Sequence, residues 1–137
     1  QQRFAHCFYI FKCYNKMIEG FYFDPWHGGC LRRIVKLRDE NYRIHGVYGN
    51  DDPILVPQNV EYHSESSDKT HKYWYATLRV CFVNKHLYYL KVKFDGKPGK
   101  KRIDYNAVYD SKKRLIKWDD TNTWKQMYYH KNQLSLI

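Results

Sequence analysis

Asp24, His27 and Cys30 follow one another at three-residue spacing in the stretch from Glu19 to Arg33, EGFYFDPWHGGCLRR, and each of the three side chains can do chemistry. Asp24 and His27 could share a proton as a general acid–base pair. Cys30 could serve as a nucleophile with His27 or His45 as its base, its thiol acidified by Arg32 and Arg33, in an accessible pocket. His27 and Cys30 also have the i, i+3 spacing of a metal-ligand pair, with His6 and Cys7 able to supply two further ligands to a tetrahedral zinc site. One such spacing is a thin basis for metal, and a turn is the simpler reading. Pro25 has no N–H for a ladder and restricts Asp24 to extended geometry. The Asp24 carboxylate then accepts loop N–H groups, and Gly28-Gly29 supplies positive φ or close backbone approach. Asp24, His27, Gly28 and Gly29 are therefore expected to form a signature turn, with no catalytic residue, metal or cofactor assigned.

A second group, Asp119, Asp120 and Asn122, offers oxygen ligands in the manner of a calcium loop, but the spacing and the downstream Glu of an EF-hand are missing. A hairpin turn between Trp118 and Trp124 accounts for it better. Both tryptophans are expected to pack against the core, with their indole N–H groups directed to backbone acceptors.

The elements that must position these groups are short strands. Gly20 to Asp24, Cys30 to Leu37 and Tyr42 to Tyr48 read as strands, and the turn cluster Gly49-Asn50-Asp51-Asp52-Pro53 comes next. Ile54 to Val56 reads as an edge strand between two prolines, Val60 to His63 as another short strand, and Ser64 to His71 as a polar loop. The clearest hairpin pairs Tyr73–Val83 with Leu87–Asp95 around Asn84-Lys85. Alternation places Trp74, Ala76, Leu78, Val80 and Phe82 on one side of the first strand, and Tyr88, Leu90, Val92 and Phe94 on one side of the second, with Lys91 and Lys93 outward. Ile103 to Tyr109, Leu115 to Trp118 and Thr123 to Tyr128 complete the set. Eight or so strands at this spacing, with no long amphipathic helix, predict an all-β fold: a small antiparallel β-barrel of calycin or lipocalin-like layout, closed because closure removes exposed edges. Rings are expected inside and cations outside. The predicted organisation is an N-terminal extension over residues 1–16, a barrel domain over 17–129 and a C-terminal tail over 130–137. The first segment, with Phe4, Phe8 and Phe11 at helical spacing, is readable as helix or strand, and either as a docked extension or as a processed N-terminus.

Gly20-Phe21-Tyr22-Phe23-Asp24-Pro25 with His27-Gly28-Gly29 and Arg32-Arg33-Ile34, Ile44-His45-Gly46-Val47-Tyr48-Gly49, and Ile116-Lys117-Trp118-Asp119-Asp120-Thr121-Asn122-Thr123-Trp124-Lys125 form a set. Together they resemble a family of small uncharacterised β-rich proteins seen mainly in algae, other protists and their large DNA viruses. The resemblance spans Gly20 to Lys125. It implies a layout similar in general to lipocalin barrels and an accessory or virion role, and it brings no catalytic residues with it.

Composition bounds the function classes. The chain of 137 residues suits one domain, and an 18% aromatic content dominated by 14 Tyr favours pleated structure over disorder. Four cysteines, Cys7, Cys13, Cys30 and Cys81, would allow two disulfides in three pairings, but they lack any CxxC pair and also suit a reducing, intracellular compartment, which is the expectation. No apolar run reaches the roughly 20 residues of a membrane-spanning helix, so a soluble protein is expected. The net charge of +10 favours anionic partners. Its main concentration is Lys97, Lys100, Lys101, Arg102, Lys112, Lys113, Arg114 and Lys117, which make one patch if their loops share an end of the barrel. The leading expectation is a non-enzymatic binding or structural module whose basic surface docks on an acidic protein, with nucleic acid as another possible partner. A lipocalin-like carrier is the alternative, holding a small apolar ligand among Trp74, Leu78, Tyr88, Leu90 and Trp124 in an internal cavity of several hundred Å³. An enzyme using Asp24, His27 or Cys30 is the third reading.

Overall fold

Alternating apolar and polar residues sort the chain into strands whose inner faces meet, and the computed structural model describes residues 18–27, 31–38, 41–47, 73–97, 99–130 and 133–136. The strands are β1 (Gly20–Phe23), β2 (Leu31–Lys36), β3 (Tyr42–Val47), β4 (Tyr73–Asn84), β5 (Leu87–Gly96), β6 (Asp104–Asp110), β7 (Leu115–Trp118), β8 (Thr123–His130) and β9 (Gln133–Leu136). Each of β1 to β8 pairs antiparallel with the next, and β1 pairs with β8 through Phe21↔Met127, Tyr22↔Gln126 and Phe23↔Lys125. The result is the expected closed eight-stranded antiparallel barrel. The segment over 1–16, the turn over 49–53, the strands at 54–56 and 60–63 and the loop over 64–71 lie outside the described residues, as do Gly28, Gly29 and Cys30.

The meander sends successive connections to opposite ends. Among the described residues, the connections after β1, β5 and β7 lie at one end, the mouth; those after β2, β4 and β6 lie at the base. Inward side chains fill the space between. Tyr22, Tyr88 and Tyr109 meet edge to face toward the base, with ring centroids 6.5 and 5.6 Å apart. Tyr109 O–H donates to Gln126 Oε1 at 2.8 Å, and Gln126 Nε2–H donates to Glu19 O at 3.0 Å. Burial pushes the Tyr109 phenol up to about 12, so it stays protonated. Toward the mouth, Trp74, Phe94, Trp118 and Trp124 form a chain of rings with successive centroids 5.6, 5.9 and 4.6 Å apart. Phe94, Trp118 and Trp124 face inward and Lys91 and Lys93 outward, as alternation requires.

Three features depart from the expectations. Phe82 does not join the inner row, because Val80 pairs with Leu90 but Phe82 pairs with Tyr89. Cys81 is the extra residue of a β-bulge, which reverses the facing of the residues after it on β4. Phe82 is thereby 58% exposed and stacks on Tyr89. Arg32 lies inside the barrel and is 2% exposed, since it shares the inner face of β2 with Ile34; cations are therefore not all outside. The segment expected as a C-terminal tail forms β9, which pairs with the distal part of β8 from Met127↔Leu136 to His130↔Gln133. Because Met127 also pairs with Phe21, β9 takes the edge of β8 opposite β1, beyond the end of β7.

Large rings fit because small residues face them. Trp74 lies flat over its cross-strand neighbour Gly46, where an added Cβ would come within 2.1 Å of the indole. Gly46→Ala is therefore expected to destabilise the fold by about 1–3 kcal/mol through overpacking. The check is a lowered urea midpoint at unchanged slope; an unchanged midpoint would contradict the seating of Trp74 on Gly46.

Candidate functional site

Pro25 ends β1 and starts a single 3-10 turn, Pro25–His27, at the mouth. The preceding Asp24 adopts the expected turn, its Oδ1 accepting from Trp26 N–H at 3.0 Å. Its remaining capacity is taken by groups from three places in the chain. Asn122 Nδ2–H donates to Oδ1 at 2.9 Å, and the Arg32 guanidinium donates to Oδ2 at 3.2 Å. His27 Nδ1 lies 3.1 Å from the same Oδ2. Asp24 is 3% exposed. Burial opposes its charge, but the hydrogen bond from Asn122, the positive charge of Arg32, the Trp26 N–H and the His27 contact outweigh that, and the carboxyl is held below its usual range. Two motifs far apart in sequence, the Asp24 turn and the Trp118-to-Trp124 hairpin, thus close on one carboxylate.

The acid–base reading of Asp24 and His27 is only half met. The two residues are adjacent, yet both Asp24 oxygens are already engaged by two partners each, which leaves no basic oxygen directed at a substrate. Cys30 lies outside the described residues. His45 sits on the outer face of β3, between Arg33 and Tyr75 in register, away from the inward Asp24 group. Burial, Arg43 and Arg33 push its imidazole down to about 4. The acidic hairpin is a turn, as expected. Asp119 Oδ2 accepts from Arg102 and from Asn106 N–H, Asp120 Oδ1 accepts from Asn122 N–H, and Asn122 Oδ1 accepts from Thr123 N–H. The expected indole hydrogen bond is not made at Trp118, whose buried Nε1–H has no acceptor, and Trp74 Nε1–H is in the same position. Both rings are enclosed by other rings rather than by backbone oxygens.

Arg32 is wedged between two tryptophans, its guanidinium carbon 4.9 Å from the Trp74 ring centre and 5.7 Å from that of Trp124. Above it opens a pocket of about 260 Å³ lined by Trp26, His27, Phe94, Lys97, Lys100 and Tyr105, with Arg32, Trp74, Trp118 and Trp124 at its floor. The loop between β5 and β6 holds its cations over these rings. Lys97 Nζ is 4.5 Å from the Trp74 centre, Lys100 Nζ is 4.7 Å from Phe94 and 4.8 Å from Tyr105, and the Arg102 guanidinium is 4.1 Å from Tyr105.

The predicted basic patch is not brought together. Lys97, Lys100, Lys101 and Arg102 stand at the mouth, whereas Lys112, Lys113 and Arg114 occupy the β6–β7 turn at the base, and Lys117 is exposed on β7. Consecutive loops of a meander cannot share an end. The predicted ligand set divides as well. All five pack in the core, and of them Trp74 and Trp124 also border the mouth pocket, while Leu78, Tyr88 and Leu90 do not. Arg32 was missed as a site residue; the available signal was its alternation with Ile34, which ties it to the inner face.

Removing one partner of the buried pair leaves an uncompensated charge. Asp24→Ala is expected to cost about 3–5 kcal/mol, and a second change of Arg32→Met to recover much of that loss; chemical denaturation of the single and double variants checks it, and an additive double loss would contradict the pairing. The two titrating groups act in separate pH windows. His45, lowered from 6.5 to about 4 on folding, contributes stability that is complete above about pH 6.5 and declines as pH falls toward 4. Asp24, also lowered, contributes stability that is complete above its ordinary value of 3.8 and is lost as pH falls further, through its folded value. Melting temperature against pH should decline first between 6.5 and 4, a step that His45→Gln removes, and again below about 4. No family model matches the chain, and neither does any curated protein or solved structure, so the functional reading rests on the geometry of the mouth and wall.

Proposed function

We propose that this protein is a non-enzymatic binding module whose basic mouth docks on an acidic partner. The observation that carries the reading is the set of cations held over a floor of rings: Lys97 and Lys100 above Trp74, Phe94 and Tyr105, with Arg32 beneath. Ring surfaces exclude water from one side of each ammonium, which strengthens its attraction for an incoming carboxylate or phosphate relative to a fully hydrated lysine. Asp24 compensates Arg32, and Lys97 and Lys100 bring further positive charge to a mouth that Asp120 also lines. An enzymatic reading has less support, because the Asp24 oxygens are engaged within the protein. The apolar-carrier reading has less too, since a mouth of about 260 Å³ falls below the roughly 300–1,000 Å³ typical of small-molecule pockets and all five of its expected lining residues are packed in the core, with Trp74 and Trp124 alone also bordering the mouth. No helix among the described residues is long and apolar enough to cross a membrane.

The purified protein should be retained on immobilised heparin at physiological salt and elute as salt rises. The Lys97→Glu/Lys100→Glu double variant should elute at markedly lower salt with unchanged circular dichroism. Flow-through of the wild type, or identical elution of the double variant, would sink the reading.

A further inference from the structure

The outer wall formed by β4, β5 and β6 carries a second basic feature. Arg79 and Lys91 are directly opposite each other in the β4–β5 ladder, and Lys93 comes next on the same face of β5. All three are exposed. Like charges facing across a ladder destabilise it. Among the described residues the ion pairs join Asp24 to Arg32 and His27, His86 to Asp110, and Arg102 to Asp119. None of them reaches Arg79, Lys91 or Lys93, although Asp104 stands opposite Lys93 in the β5–β6 ladder. The three cations line a groove of about 530 Å³ that reaches Tyr105 and Asn106, with Asp95 and Asp104 also on its lining at the Lys93 end. A second groove, of about 490 Å³, shares Lys91 and Asn106 with the first and runs past Phe82, Tyr89 and Lys117.

In that second groove the bulge at Cys81 turns Phe82 outward onto Tyr89, with ring centres 4.3 Å apart and planes 14° from parallel. Phe82 is 58% exposed, so its ring offers surface to a further planar group. Tyr89, Lys91 and Lys93 alternate along one face of β5, roughly 7 Å from one to the next by strand geometry. Tyr105 borders both the first groove and the mouth pocket, its ring turned inward onto Phe94 and Trp118.

We infer that this wall binds single-stranded nucleic acid, the phosphates running along Arg79, Lys91 and Lys93 and a base stacking on the Phe82–Tyr89 pair. The inference rests on the reading of the barrel as a binder of acidic partners and names the partner's chemical class. An acidic peptide would meet the cations but has no use for an exposed flat ring beside them. A duplex would present phosphates, but its base faces are covered by their neighbours in the stack. A single strand uses both features, because its bases are free to stack on aromatic side chains while the backbone tracks the charges.

The test is fluorescence anisotropy of the full chain with labelled single-stranded 12-mers of RNA and DNA, competed by a duplex of equal length and by polyglutamate of equal charge. Single strands are expected to bind tightest. Phe82→Ala should weaken them about tenfold, and Phe82→Trp should keep the affinity. Lys91→Ala should lower the slope of log affinity against log salt by about 0.7, the share of one phosphate contact on a single strand. Equal binding of duplex or polyglutamate, or an unchanged affinity for Phe82→Ala, would overturn the nucleic-acid assignment while leaving an acidic-partner binder standing. Failure of the wild type to bind any of these polyanions, heparin included, would overturn both.

Discussion

A guanidinium enclosed by tryptophans sets the terms for the mouth of this barrel. Burying the Arg32 guanidinium between Trp74 and Trp124 calls for a carboxylate beside it, because an unpaired buried charge costs the fold several kcal/mol. Asp24 is that carboxylate, and it is held in place by the turn that Pro25 starts. Asn122 then reaches the same group from the β7–β8 hairpin. Three segments must therefore arrive together, and they are the ones that flank the β1–β8 seam where the barrel closes. A buried ion pair adds little net stability over a well-packed apolar replacement. Its effect here is selective: a closure in other register would strand Arg32, Asp24 or Asn122 without a partner.

Packing around that pair is a matter of size. Trp74 occupies the space that Gly46 leaves open, where a Cβ would come within 2.1 Å of its ring. Ala107 faces Trp118, and Ala76 faces Ile44. Alternation of small and large residues lets aromatic side chains fill a narrow barrel without voids or strain. An interior occupied in this way leaves the mouth and the outer wall as places where another molecule can be met.

Local rules reached the barrel, the β4–β5 hairpin and the Asp24 turn, because each is governed by residues within a few positions of one another. Period-two alternation placed Leu78, Tyr88, Leu90 and Val92 inside, and they are inside. It failed at Phe82, since a bulge at Cys81 depends on the pairing with β5 and carries no Gly or Pro to announce it. At Arg32 the alternation with Ile34 was right and the expectation from residue type, cations outside, was wrong; Asp24, just after β1, pairs with the guanidinium, and Asn122, 98 residues further on, holds Asp24 in place. The segment 133–136 was too short and weakly patterned to read as a strand, and it becomes one because β8 outruns β7 and offers it an edge.

Charge shows the same difference between sequence distance and spatial distance. Lys97 to Arg102 and Lys112 to Arg114 are neighbours along the chain, yet β6 separates them by roughly 20 Å at about 3.3 Å per residue. That is more than twice the screening length of about 8 Å at physiological ionic strength, so the two clusters act as separate sites in water. Arg79 and Lys91 are twelve residues apart and sit face to face, with Lys93 one step along the same strand. The positive field that matters for a partner is therefore set by ladder register. A charge run read along the sequence groups cations that the fold divides, and misses those that it gathers on one wall.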